Sequence, residues 1–228
     1  EFEPVEILLF RFVLGFVILL LVYPGRMKGT DRRREFIFAA AGLCGVCLYY
    51  LLENIALTYT LASNVGVIVS VSPFFTAIFN RIFGEKERLK ARFFLGFAVA
   101  MAGIGLISFW GTKVEVSPIG DLLSLAAAVV WACYSILTRK ISKFGYPTVQ
   151  TTRRIFAYGI IFMLPTLFFF DFQLGLSRFT KPENLLNILF LGVGASAMCF
   201  ATWNFAVKVL GAVKTSVYIY LVPVITVI

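Results

Sequence analysis

The chain has 228 residues, of which 60% are hydrophobic and only 14% are charged. Soluble globular domains carry about 45–50% apolar and about 25% charged residues, so this composition excludes an ordinary soluble protein and indicates one embedded in a lipid bilayer. The net charge is +9, but the basic residues stand in short clusters between apolar runs, which is typical of membrane topology signals. We therefore expect no nucleic-acid partner.

Eight apolar stretches follow one another along the chain. Most of them approach the roughly 20 residues that a helix needs to cross the hydrocarbon core. Because lipid offers no partner to unpaired backbone groups, runs of this length must be helical. The predicted fold is thus an all-α integral membrane bundle with eight transmembrane spans, at about residues 7–23, 36–58, 62–80, 93–110, 119–138, 154–170, 185–207 and 212–228.

The basic residues are distributed unevenly between the two sides of these spans. Seventeen of the 21 Lys and Arg residues lie in or beside alternate connecting segments, three lie on the opposite side, and Arg11 lies within a span. Cytoplasmic loops of membrane proteins carry the excess of Lys and Arg. We therefore predict a multi-pass membrane protein with cytoplasmic loops at 25–35, 81–92, 139–153 and 208–214.

An internal repeat relates two distant parts of the chain. Residues 42–78 can be laid over residues 192–228 without a gap. The identical pairs are Gly42/Gly192, Asn54/Asn204, Ala56/Ala206, Ala62/Ala212, Val67/Val217, Pro73/Pro223, Thr76/Thr226 and Ile78/Ile228. Asn and Pro are scarce in so apolar a chain, so their return at the same spacing indicates a duplication.

The repeat is predicted to be inverted. Its matched prolines lie in the third and eighth spans, so matched helices are five spans apart and cross the membrane in opposite directions. Inverted repeats around a central site are the usual architecture of secondary transporters. We predict two halves, residues 1–112 and 113–228. Two complete five-span units need ten helices, so one further helix is expected before residue 1 and one after residue 228.

The repeated motifs resemble a known family. The first copy reads Asn54-Ile-Ala-Leu, then Ala62-Ser-Asn-Val-Gly-Val-Ile-Val-Ser-Val-Ser-Pro73-Phe-Phe-Thr-Ala, then Gly84-Glu85. It resembles the EamA-type repeat of the bacterial drug/metabolite transporter superfamily, as do the stretch from Asn204 to Thr226 and the segments Gly120-Asp-Leu-Leu and Trp131-Ala-Cys-Tyr134. The resemblance implies a ten-helix inner-membrane carrier with both termini cytoplasmic, and makes the eight spans its second to ninth helices.

Two ionisable residues lie well inside predicted spans. Arg11 and Glu53 are placed at about equal depth, roughly 8–9 Å below the outer boundary at 1.5 Å per residue, on consecutive antiparallel helices. We predict an intramembrane ion pair between them. One interpretation is a structural clamp that neutralises both charges. The other interpretation is functional: Glu53 exchanges a proton that is coupled to transport, or Arg11 binds an anionic substrate.

Several polar and aromatic residues are candidates for lining a substrate cavity. Asn54 and Asn204 could form interhelical hydrogen bonds or matching polar walls of one site. Pro73 and Pro223 interrupt their helices, for packing or to expose carbonyl groups at a site. Core packing explains any single one of the deep aromatic residues, and a cavity with aromatic walls, suited to amphipathic or aromatic metabolites, is the alternative. The remaining candidates are Ser70 and Ser72 beside Pro73, Trp131, Tyr134, Trp203 and Tyr220.

The function that these features favour is secondary transport. We expect an exporter of small organic metabolites, amino acids or drug-like compounds that works by alternating access around a cavity between the repeats. An intramembrane enzyme is disfavoured, because the chain has no His, no Asp pair inside a span and no ATP-binding Gly-Lys-Ser/Thr loop. No cofactor or metal site is predicted. A non-transporting membrane scaffold or an inactive carrier fragment stays open as the alternative.

Overall fold

The bundle is built from eight helices. The computed structural model describes residues 2–84, 91–109, 117–169, 175–221 and 225, and helix is the only regular secondary structure in these ranges. The helices are α1 (Pro4–Val22), α2 (Arg32–Tyr59), α3 (Ala62–Phe83), α4 (Ala91–Phe109), α5 (Pro118–Ser142), α6 (Thr148–Met163), α7 (Pro182–Leu210) and α8 (Ala212–Val217).

These helices confirm the all-α membrane fold. Each of the eight predicted apolar stretches overlaps one helix within the described residues. Five helices, α1, α2, α3, α5 and α7, are long and apolar enough to cross a membrane. The apolar part of α4, Ala91–Leu106, is shorter. Short 3₁₀ turns extend α6 through Leu164–Phe168 and α8 through Tyr218–Tyr220, and a third, Leu176–Thr180, precedes α7.

Local sequence signals position the helix ends. The Asp31 carboxylate accepts a hydrogen bond from the Arg34 backbone N–H at 2.8 Å and caps the start of α2. Pro118 opens α5 directly after the capping residue Ser117. Gly211 separates α7 from α8 with φ of 89°, a left-handed conformation that glycine adopts without steric cost.

The internal repeat is visible in the helix boundaries. On the 150-residue offset, α2 and α7 begin at equivalent positions, and so do α3 and α8. Both α2 and α7 also contain a π-helical stretch, at Leu43–Leu48 and Phe190–Met198, and the two stretches overlap on that offset. Neither was predicted from the sequence. Such wide turns frequently mark functional sites within helices.

Two pairs of helices pack closely through glycine contacts. Helix α2 packs on α6, while its repeat partner α7 packs on α1. A Cβ on Gly42 of α2 would lie 2.6 Å from the Ile155 backbone oxygen, and one on Gly15 of α1 would lie 3.2 Å from the backbone oxygen of Gly192 in α7. Because Gly42 and Gly192 are repeat equivalents, the same close approach is used twice.

The predicted interruption of α3 is confirmed. The helix breaks at residues 70–71, between Ala62–Val69 and Ser72–Phe83. Proline has no N–H, so Pro73 cannot donate to the Val69 carbonyl one turn earlier. The Ser72 hydroxyl donates to that carbonyl instead. Pro223, the repeat equivalent of Pro73, lies outside the described residues, as does Glu85 of the Gly84-Glu85 motif.

The glycine contact between α2 and α6 makes a testable prediction. Gly42→Ala would push a methyl group against backbone atoms that cannot move independently, so we expect a loss of about 1–3 kcal/mol in stability. Gly96→Ala is the matched control, because a Cβ on Gly96 of α4 meets nothing within 4 Å. Thermal unfolding in detergent measures both. Equal melting temperatures for the two variants would contradict this packing account.

Candidate functional site

A hydrogen-bonded node joins three helices near the centre of the bundle. The amide of Asn204 in α7 accepts from the Tyr134 hydroxyl of α5 at 2.8 Å and donates to the Thr152 hydroxyl of α6 at 2.9 Å. Thr152 in turn donates to the Thr148 carbonyl at 2.9 Å. All three side chains are buried. Asn204 therefore has both of its polar groups satisfied by neighbouring helices.

Its repeat equivalent, Asn54, is placed differently. The Asn54 amide donates to the Tyr50 carbonyl of its own helix at 2.8 Å. It lines a cavity of about 150 Å³ between the start of α1 and the end of α2. The two asparagines thus do not form matching walls of one site. The repeat conserves the position along the helix, while the neighbouring helices around each copy differ.

Aromatic side chains form a continuous wall beside the Asn204 node. The Trp131 ring of α5 is the hub, with its centroid 5.2 Å from Trp203, 5.1 Å from Tyr134, 4.8 Å from Tyr49 and 6.0 Å from Phe200. The structure therefore brings together three residues that the sequence put forward as cavity candidates. It adds Tyr49 and Phe200, which were not predicted because Tyr and Phe are abundant in this chain.

Three polar groups among these candidates are buried without a partner in the described part of the chain. They are the indole N–H groups of Trp131 and Trp203 and the hydroxyl of Tyr220. An unsatisfied buried donor costs about 1–3 kcal/mol. The two indole rings are adjacent, with their centroids 5.2 Å apart.

The predicted ion pair between Arg11 and Glu53 is not formed. Arg11 of α1 donates from Nε to the Ser196 hydroxyl at 2.8 Å and from Nη2 to the Ala195 carbonyl at 3.2 Å. Glu53 accepts a hydrogen bond from the Tyr49 hydroxyl at 3.1 Å. No salt bridge joins Arg11 to Glu53 within the described ranges. Equal depth in the membrane did not fix the direction of the side chains around their helices.

A carboxylate that does form a buried pair is Glu6, in the first turn of α1. Its side chain is 1% exposed and lies 2.7 and 3.1 Å from the two terminal nitrogens of Arg178, which precedes α7. This bidentate pair joins the start of α1 to the start of α7. Sequence reasoning missed it, although Arg178 is one of only three basic residues on the predicted outer side.

The serines beside the break in α3 serve their own helix. Ser70 donates to the Gly66 carbonyl at 2.7 Å, and Ser72 donates to Val69. Their hydroxyl protons are therefore used by the backbone and not directed at a cavity. On the other side of Trp203, α7 and α8 enclose an open, largely apolar groove of about 770 Å³ that also includes Thr215 and Tyr218.

Comparison with known proteins establishes the family. A model of the EamA-like transporter family matches the chain in two segments, residues 1–109 and 118–228. The chain belongs to the EamA-like transporter family. It is therefore a multi-pass membrane transport protein and not an enzyme, in agreement with the resemblance of the repeated motifs.

Individual relatives agree with this assignment. An uncharacterized transporter of Archaeoglobus fulgidus is 29% identical over 232 residues, which cover 99% of this chain and 78% of that protein. The uncharacterized transporter YyaM of Bacillus subtilis is 28% identical, with 100% and 76% covered. A probable terminal-alkyne amino-acid exporter of Streptantibioticus cattleyicolor is 25% identical, with 82% and 61% covered.

A solved structure shows the same fold. A crystal structure with 19% sequence identity superposes with a TM-score of 0.80 and covers 99% of this chain and 77% of that chain. At this identity the likeness concerns the fold alone. It agrees with an EamA-type bundle of inverted repeats.

The two asparagines provide a matched test of the node. Asn204→Ala removes two interhelical hydrogen bonds and leaves Tyr134 and Thr152 without that partner, so we expect a loss of about 1–3 kcal/mol in stability. Asn54→Ala removes one bond within a single helix and should cost clearly less. Thermal unfolding in detergent compares the two variants. If Asn54→Ala lowered stability as much as Asn204→Ala, the interhelical hydrogen bonds of Asn204 would contribute no more to stability than the single bond of Asn54.

Proposed function

We propose that the protein is a secondary transporter that exports small organic solutes, amino acids or drug-like compounds among them, across the cell (inner) membrane. Residues 1–112 and 113–228 are the two inverted halves, and the solute binds between them. The segments 25–35, 81–92, 139–153 and 208–214 face the cytoplasm. The family assignment and the amino-acid exporter among the relatives support this proposal.

The pair of free indole N–H groups is the observation that carries the proposal. Trp131 belongs to the proposed second half and packs against Tyr49 of the proposed first half, so the wall spans the boundary between them. A dry hydrocarbon interior penalises donors without an acceptor. A solute with an apolar body and a hydrogen-bond acceptor would satisfy Trp131 and Trp203 while lying on their rings.

Contacts between the halves at both ends of the bundle support alternating access. At the predicted outer end, Arg178 pairs with Glu6 at 2.7 Å. At the predicted cytoplasmic end, Arg153 of α6 donates to the Tyr23 carbonyl and, at 2.7 Å, to the Gly25 carbonyl after α1. Releasing one set while keeping the other would open the central region to one side at a time, as rocking of inverted halves requires.

The indole donors are tested by replacing each indole with a phenyl ring, which removes the N–H together with part of the ring. In proteoliposomes that contain the purified protein, Trp131→Phe and Trp203→Phe should each raise the KM for a transported solute severalfold, because a hydrogen bond is worth about 0.5–1.5 kcal/mol. The smaller ring also loses packing contacts, so thermal unfolding is measured for each variant and KM is compared only in folded protein. Flux is measured with panels of amino acids and amphipathic amines, with and without a proton gradient, which also tests the predicted proton coupling.

Tyr134→Phe is the control for this experiment. It removes a hydroxyl that is already bonded to Asn204, so it should lower stability. If Trp131→Phe and Trp203→Phe left KM unchanged in folded protein, the indoles would not bind the solute. If well-folded protein moved no solute from any panel, the transport proposal itself would fail.

A further inference from the structure

Glu53 is an intramembrane carboxylate with unused acceptor capacity. It lies within the apolar helix α2, and its one hydrogen bond comes from Tyr49 at 3.1 Å. A carboxylate has about four lone-pair sites, so most of them are open. No Lys or Arg lies within salt-bridge distance of it in the described ranges. A charged side chain inside a membrane is costly and ordinarily pairs with an opposite charge. We therefore expect Glu53 to bind a cation that the described residues do not supply.

The nearby arginine is not that partner. The Arg11 guanidinium has two of its donors bonded to Ser196 and Ala195 of α7, and it lies over the Tyr50 ring, 4.8 Å from the centroid. These contacts hold it against α7 and α2. The wide turn of the π-helical stretch, which contains Ala195, supplies the carbonyl acceptor. Glu53 therefore has no direct cation contact in the described part of the chain.

Glu53 also occupies a special position in the repeat. On the 150-residue offset it is equivalent to Trp203. One half thus presents a carboxylate where the other half presents an indole. The two are linked through the aromatic wall, because the Tyr49 that donates to Glu53 packs against Trp131, and Trp131 packs against Trp203.

We propose that Glu53 binds the protonated amine of the transported solute, while the apolar body of the solute lies against Trp131 and Trp203. A carboxylate forms strong charge-assisted hydrogen bonds with an ammonium group. Indole and phenol rings attract the same cation through their faces. This inference rests on the proposed transport function and names the substrate class: aromatic or apolar amines, with or without a carboxylate of their own.

A ligand series on the unmodified protein tests the charge requirement directly. Phenethylamine, 2-phenylethanol and 3-phenylpropionate share a phenyl ring on a short chain and differ in carrying a cation, a neutral hydroxyl or an anion. Binding to purified protein is measured by calorimetry, and flux is measured in proteoliposomes. We expect phenethylamine to bind at least about 10-fold more tightly than the other two, as a bond to a charged group implies. Phenylalanine, added in parallel, distinguishes simple amines from amino acids.

Glu53→Gln tests the residue. It keeps the shape and removes the charge, so phenethylamine affinity should fall at least about 10-fold, while Glu53→Asp should retain part of the preference for the cation. Glu183→Gln, the same change at an exposed position at the start of α7, should have no effect. If Glu53→Gln does not fold, the ligand series still decides the question.

The outcomes separate the two proposals. Equal binding of 3-phenylpropionate and phenethylamine, or unchanged phenethylamine binding in folded Glu53→Gln protein, would overturn the role of Glu53 and leave transport intact. Movement of phenethylamine but not phenylalanine would support the inference for simple amines alone. If neither these probes nor the wider solute panels were transported by folded protein, the proposed function would fail first.

Discussion

The structure depends on one constraint: inside hydrocarbon, a polar group must find its partner within the protein. The Ser72 hydroxyl donates to the Val69 carbonyl, to which Pro73 cannot donate because it has no N–H. Arg11 of α1 donates to the Ser196 hydroxyl and the Ala195 carbonyl of α7, at 2.8 and 3.2 Å. Helices also approach one another through glycines, because close backbone contact is a main source of stability between helices in lipid.

Groups that escape this constraint are informative because they are costly. The free indole donors of Trp131 and Trp203 and the open carboxylate of Glu53 lie along one aromatic wall. A folded protein could have paired them, as it pairs Asn204 with Tyr134 and Thr152. We propose a functional reason for leaving them unpaired. The transported solute would supply the acceptor for the indole N–H groups and the cation for Glu53.

The fold could largely be predicted from the sequence, but the candidate site could be predicted only in part. The lengths of the apolar stretches predicted the helices, and the repeated spacing of Asn54 and Pro73 indicated the duplication. Depth along a helix could be counted, but direction around it could not, which is why the predicted pairing of Arg11 with Glu53 was wrong. The pairing of Glu6 with Arg178 depends on a 3₁₀ turn between helices, and the π-helical stretches leave no pattern in the hydrophobic periodicity. Asn54 and Asn204 share a repeat position but have different neighbouring helices.

The central claim is that the unpaired polar groups on the aromatic wall form the binding site of a transporter. Side-chain nuclear magnetic resonance of protein labelled with ¹⁵N in its tryptophan indoles tests it most directly, with the signals of Trp131 and Trp203 assigned from their Phe variants. The account predicts that both N–H resonances move downfield when a transported solute is added to saturation, because each gains an acceptor. Unchanged resonances at a solute concentration that saturates transport would contradict it.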